Sequence, residues 1–185
     1  MRVIGGYLGG RPLLAPRGWK VRPTPARVRE AIFSALGPIE GAVVADLYAG
    51  TGALAIEALS RGAERAVLVD REIRPAEGNV RHLDLVDRCE IVRADVEEWL
   101  RSRADGERFD LVFLDPPYGI WPDLGPEIGP PLAGVIAPRG RVVIESGSGS
   151  PPRLPGFETV RERRYGRTVV TFHALPEDAS GATDR

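Results

Sequence analysis

Asp115, Pro116, Pro117 and Tyr118 follow directly on the apolar run Phe109–Leu114. A carboxylate, two rigid prolines and an aromatic ring at the end of a buried strand can grip a planar amino group. The exocyclic amine of a nucleobase is a poor nucleophile, because its lone pair is delocalised into the ring. Methylation needs that pair localised and aimed along the bond to the incoming methyl group, and two fixed hydrogen-bond acceptors on the N–H groups do this. Asp115 supplies one acceptor. The main-chain carbonyl of Pro116 supplies the other, since consecutive prolines restrict the backbone and remove competing donors. Tyr118 stacks on the base, an interaction worth ~1–3 kcal/mol, and a paired target must be flipped out of its helix. In isolation an Asp-Pro-Pro sequence is as readily a loop turn. Its place after an apolar strand, downstream of a second motif, favours chemistry.

That second motif is Asp46-Leu47-Tyr48-Ala49-Gly50-Thr51-Gly52, with Gly50 and Gly52 letting a ligand approach the backbone closely. The stretch Gly50–Ala55 also satisfies G-x-G-x-x-A, the dinucleotide fingerprint, which alone is a weak signal. Asp46 separates the two readings. A carboxylate beside the loop repels a pyrophosphate but attracts the ammonium and sulfonium charges of S-adenosylmethionine (SAM); the alternative role for Asp46 is a strand-end turn. Asp70 lies 18 residues beyond Gly52, a spacing suited to ribose hydroxyls. Asp95, followed by Val96, is expected on the adenine side of the cofactor and also as a helix N-cap. Arg71 adjoins this set, with its guanidinium facing solvent. His82, His173 and Cys89 do not form a metal-binding pattern, and no metal is expected.

These residues need a scaffold. Strands are expected over Val43–Tyr48, Ala66–Asp70, Cys89–Ala94, Phe109–Leu114 and Arg141–Glu145, with helices between them over 51–61, 74–85, 96–101 and 124–136, the last interrupted by Pro130 and Pro131. Apolar strands alternating with helices imply a parallel sheet covered on both faces, whose carboxyl ends collect ligands. Phe157–Arg164 and Arg167–Ala174 flank Tyr165-Gly166 as an antiparallel hairpin. The fold class is therefore α/β, a Rossmann-like class I methyltransferase with a mostly parallel seven-stranded sheet. Residues 1–38 form a small β and helical extension, 39–175 the core, and 176–185 a disordered tail. Within the extension, residues 1–23 read as a β unit. Thr24 is expected to cap the next helix, with Pro25 at its first position; Arg27, Arg29 and Glu30 are left free to face solvent or a ligand.

The chain has 185 residues, 43% of them hydrophobic, and a net charge of −1. One core is expected, and a generic polyanion binder is not. The charge is unevenly spread, however. Residues 1–30 carry Arg2, Arg11, Arg17, Lys20, Arg22, Arg27 and Arg29 against Glu30 alone, a net +6, and the remainder carries −7. A basic arm on an acidic body fits a phosphate backbone. With Arg163, Arg164 and Arg167 on the hairpin, residues 2, 11, 17, 20, 22 and 27 are the expected nucleic-acid phosphate contacts, to RNA on the resemblance given next. Only one of the 25 cationic residues is a lysine, a skew that points to a GC-rich genome more than to RNA. A single cysteine excludes an internal disulfide and suggests a core thiol. No apolar run reaches membrane-spanning length and no signal-peptide core is visible, so a cytoplasmic protein is expected.

Three segments together carry a family resemblance: residues 22–33 (RPTPARVREAIF), 46–63 (DLYAGTGALAIEALSRGA) and 109–118 (FDLVFLDPPY). They resemble the bacterial RsmD family over roughly residues 1–174. The resemblance implies methylation of N2 of one guanine in 16S ribosomal RNA, within the small subunit or a late assembly particle; separately, a monomer is expected. It implies SAM around Asp46, Gly50, Gly52, Asp70 and Asp95, and Asp115 to Tyr118 at the acceptor amine. Asn79 sits where the family has an asparagine, read as structural. Tyr48 and Thr51 replace the commoner phenylalanine and serine, and Pro75 and Gly78 weaken the helix they occupy.

The same tetrapeptide serves adenine N6 or cytosine N4 in DNA, although no target-recognition domain is evident. Protein glutamine is a weaker candidate acceptor. An NAD-dependent oxidoreductase and a non-catalytic RNA-binding module are the readings from other classes.

Overall fold

The computed structural model describes residues 1–15, 24–103, 106–116, 121–147 and 153–176, apart from the side chains of 121–123. Helix α1 (Ala26–Leu36) precedes an alternating core of β1 (Val43–Leu47), α2 (Ala53–Ser60), β2 (Arg65–Asp70), α3 (Arg74–His82), β3 (Cys89–Arg93), α4 (Val96–Ser102), β4 (Phe109–Leu114), α5 (Trp121–Val135) and β5 (Ile136–Gly147); β6 (Glu158–Tyr165) and β7 (Thr168–Ala174) follow. The strands form one seven-stranded sheet in the order β3-β2-β1-β4-β5-β7-β6. β1 to β5 run parallel, β7 is antiparallel to β5, and β6 is antiparallel to β7. This is the expected α/β architecture, with the switch point between β1 and β4.

Two apolar layers sandwich the sheet. One joins Val28, Ile32 and Phe33 of α1 and the apolar positions of α2 to Leu68, Phe113 and Val143. The other packs Trp99 and Leu100 of α4 and Leu124, Ile128 and Leu132 of α5 against Leu47, Val112 and Ile144. α5 runs unbroken through Pro126, Pro130 and Pro131, where an interruption was expected. Its apolar residues recur four apart and bury against the sheet, and that packing outweighs the lost backbone bonds.

The amino-terminal segment differs from expectation. Instead of a β unit, residues 1–15 contain one isolated bridge, Arg2 to Pro12. Polar groups from the helices hold it. The Glu57 carboxylate accepts from Ile4 N (2.7 Å) and Gly5 N (2.8 Å), and Ser60 Oγ accepts from Leu8 N (3.0 Å). Asn79 accepts from Leu14 N (2.6 Å) and donates to the carbonyls of Leu14 and Thr51, the structural role expected of it. Gly6 sits at φ 72°, where a Cβ would lie 1.7 Å from the Ser60 carbonyl oxygen, so only glycine fits.

Candidate active site

Side chains two apart on a strand share a face. Asp46 pairs with Leu68 and with Phe113, and Phe113 with Val143. Two residues on from Leu68, Phe113 and Val143 come Asp70, Asp115 and Glu145. Four carboxylates therefore stand on one face, at the carboxyl ends of β2, β1, β4 and β5. Asp46, Asp70 and Asp115 were expected there. Glu145 was missed, although it closes the apolar run Val142-Val143-Ile144 much as Asp115 closes its own.

The Asp46 group faces the glycine loop. Asp46 is buried, and its carboxylate accepts from Ala55 N in the first turn of α2 at 3.0 Å. Burial pushes its pKa up to about 7, opposed by that N–H and aided by the Asp70 charge. Asp70 accepts from Gly50 N and Glu72 N, both at 2.9 Å. Two N–H groups that a pyrophosphate would require are thus already held by carboxylates. The chemistry of the loop suits a cationic, hydroxyl-bearing ligand and opposes a phosphate. Gly52 takes φ 74°, and a Cβ there would meet Leu68 Cδ2 at 2.7 Å. Tyr48, between strand and loop, holds φ 63° with its hydroxyl buried and unpartnered among the described residues, the kind of local strain that functional sites retain. Ala49 and Thr51 are buried beside it.

Asp95 caps α4, accepting from Glu97 N and Glu98 N at 3.0 Å, so its expected capping role holds. Its other oxygen pairs with Arg71 Nη2 at 2.5 Å. Burial alone would raise the Asp95 pKa; the Glu98 N–H and the Arg71 guanidinium outweigh it and hold the group below the usual carboxylate range. Arg71 is exposed, and Val96 is buried at the start of α4.

The second group gathers around Asp115. Its backbone N–H donates to the Leu47 carbonyl (3.5 Å), tying the end of β4 to β1 beside the glycine loop. Thr24 does not cap α1, whose N-cap is Pro25 with no side-chain bond; its hydroxyl donates to Asp115 Oδ2 at 3.3 Å instead. Burial, then the Glu145 and Asp46 charges, hold the Asp115 carboxyl well above the ordinary range, against the opposing Thr24 bond. Glu145 is 4% exposed, and its Oε2 has no partner among the described residues. Burial raises its pKa, opposed by Thr24 and Arg29.

Arg29, expected to face solvent or a ligand, is fully buried. Its guanidinium donates to the Thr24 carbonyl (2.9 Å) and the Arg2 carbonyl (2.6 Å), and its charge faces Glu57 and Glu145. Acids on the sheet and on α2 require a buried cation, and Arg29 lies between Val28 and Ile32 on the inner face of α1. Its position among helix-face apolar residues was the readable signal.

Of the expected RNA contacts, Arg2, Arg11, Arg27, Arg163, Arg164 and Arg167 are exposed. Arg164 pairs with Glu162 at 3.0 Å and Arg2 donates to the Gly10 carbonyl at 2.7 Å. Arg17, Lys20, Arg22, Pro117 and Tyr118 lie outside the described residues, as does the expected tail from residue 177. Pro116 is buried next to Asp115. Cys89 is half-buried, its thiol pushed up to about 12 by burial, and buried His173 is lowered to about 4.

Comparison with known proteins agrees with this fold. The YlbH protein of Bacillus subtilis (strain 168) is 44% identical over 123 residues, 64% of this chain and 67% of its own length. Ribosomal RNA small subunit methyltransferase D of Escherichia coli (strain K12) is 36% identical over 121 residues, 64% of this chain but 60% of that protein. The solved structure of the Escherichia coli yhhF protein superposes with a TM-score of 0.81 at 31% identity, covering 94% of this chain and 96% of that one. The sequence model of the family described as Conserved hypothetical protein 95 matches residues 1–174, and the chain belongs to that family, the RsmD family its three motifs resemble.

Proposed function

We propose that the protein transfers a methyl group from SAM to the exocyclic N2 of a guanine in small-subunit ribosomal RNA. The observation that carries this reading is the placement of Asp115 at the switch point, tied to β1 beside the Asp46–Gly52 loop. A donor held by that loop and an amine held by Asp115 would share one crevice.

The donor set fits SAM. Asp46 offers a carboxylate to an ammonium or sulfonium, and a cation beside it restores the charge that burial suppresses. Asp70 and Asp95 offer acceptors to ribose and adenine, with Tyr48, Ala49, Thr51, Arg71 and Val96 around them. SAM supplies a methyl group on a sulfonium; transfer forms the N–C bond as the S–C bond breaks, leaving its electron pair on sulfur. The protein's own work is orientation. Asp115 and the Pro116 carbonyl take the two N–H groups of the amine and localise its lone pair, the Asp115 carboxylate accepts the proton it sheds, and Tyr118 stacks on the base.

The relatives' names support ribosomal RNA as the substrate class, and the family resemblance supplies guanine N2 and a late assembly particle. Residues 1–38 and the hairpin arginines form the RNA-gripping surface of this reading. Small ribosomal subunits from a strain lacking the enzyme, incubated with labelled SAM, should gain label at one guanine as N2-methylguanine. Label on adenine N6 or cytosine N4, or saturable NAD binding without SAM binding, would overturn the reading.

A further inference from the structure

The reading above uses Asp115 as the acceptor carboxylate but leaves Glu145 unassigned. Leu114 pairs with Ile144 in parallel register, and the next step places Asp115 and Glu145 side by side on the same face. Glu145 is 4% exposed and its Oε2 has no partner among the described residues. A structural carboxylate so deeply buried would have its oxygens satisfied. Thr24, from outside the sheet, donates its hydroxyl to Asp115. Among the described residues, the other charged groups around the pair are Asp46 on β1, Arg29 on α1, Glu57 on α2 and, across Val170 in register, Arg163 on β6. Only Arg29 is both cationic and buried, and Glu57 draws on the same charge.

Two neighbouring carboxyls sharing so little positive charge cannot both ionise. We propose that Glu145 is a positioning residue for methyl transfer: it forms a carboxyl pair with Asp115 that shares one proton and one negative charge at the substrate amine. This inference rests on the methyltransferase reading. As the N–C bond forms and the S–C bond breaks, the amine gives up one N–H proton; the ionised member of the pair takes it and passes it to water when product leaves. Thr24 fixes which Asp115 oxygen is left to face the amine, and Arg29, bonded to the Thr24 carbonyl, keeps Thr24 in place.

The test compares wild type with Glu145→Gln, which keeps shape and removes the second ionisable group. With small ribosomal subunits and SAM, the fall in rate at high pH that the second ionisation of the pair gives wild type should be lost in Glu145→Gln, which has a single ionisation left, while SAM affinity stays within about twofold of wild type. A second readout does not need turnover. Carboxyls raised above their unfolded values give stability that is present at low pH and lost as pH rises through the folded pKa. The melting temperature of wild type should therefore fall across that window more steeply than that of Glu145→Gln, and Asp115→Asn should flatten the curve in the same way. Superimposable pH–rate and pH–melting curves for wild type and Glu145→Gln would overturn the inference. Absence of methyl transfer by wild type itself would instead remove the functional reading on which it rests.

Discussion

The two ends of the parallel strands carry opposite charge in opposite settings. At the carboxyl ends, Asp46 and Glu145 are buried and Asp70 and Asp115 half-buried. At the amino ends, Arg108, Arg139 and Arg141, with Arg161 of β6, line a cavity of about 870 Å³ together with Ile136, Val160 and Phe172. All four arginines are exposed, and among the described residues none forms an ion pair with a carboxylate; Arg108, Arg141 and Arg161 donate to main-chain carbonyls instead. The contrast separates charge that costs stability from charge that does not. A solvated guanidinium at a strand start is energetically cheap, so its presence says little about chemistry. A carboxylate pressed into an apolar rim raises its own pKa and persists only where the surroundings enforce it. This cavity is therefore the weaker candidate for the active site.

The comparison can be broken by substitution. The largest stability effect is expected from Arg29→Met, which removes the buried cation facing Glu145 while Glu57 keeps its Arg61 pair (2.8 Å): a loss of about 3–5 kcal/mol, read from urea or thermal unfolding. A change below 1 kcal/mol would show that the acids do not depend on it. Asp46 comes next. Its folded pKa of about 7 lies above the ordinary carboxylate value, so its contribution is present at low pH and lost as pH climbs to about 7 and beyond. Asp46→Asn should flatten the fall in melting temperature between pH 5 and 8, and an unchanged slope would contradict the burial account.

Two smaller effects sharpen the contrast. Replacing Arg163, Arg164 and Arg167 with alanine should weaken binding of small ribosomal subunits and lower the salt slope by about one per lost phosphate contact, with SAM affinity unaffected. Removing Arg108, Arg139 and Arg141 should change methyl transfer by less than about twofold, because solvated charges far from the rim contribute little. A loss as large as that from the hairpin arginines would show that RNA reaches the far end of the sheet.

Much of this was legible in the chain. Strand-helix alternation and the hairpin are local patterns, and the parallel sheet follows from them. Asp46, Asp70 and Asp115 could be placed because each ends an apolar run. Glu145 obeys the same rule and was overlooked, since no proline adjoins it and the Ser-Gly run that follows reads as a plain loop. Thr24 and Arg29 were misplaced for a different reason. Asp115 lies 91 residues from Thr24 and the acids facing Arg29 lie 28 or more residues from it, and a Thr-Pro before a helix gives a capping signal whether or not the hydroxyl is drawn elsewhere. The amino-terminal segment resists local reading too, because Glu57, Ser60 and Asn79 organise it from two helices.

The most direct test of the central claim, that the Asp115 carboxylate holds the acceptor amine beside a separately bound donor, is Asp115→Ala measured two ways. Calorimetry should give a SAM dissociation constant within about threefold of wild type, while single-turnover methyl transfer to small ribosomal subunits should fall by on the order of 10²–10³. Methyl transfer at the wild-type rate, or loss of SAM binding equal to the loss of turnover, would contradict it.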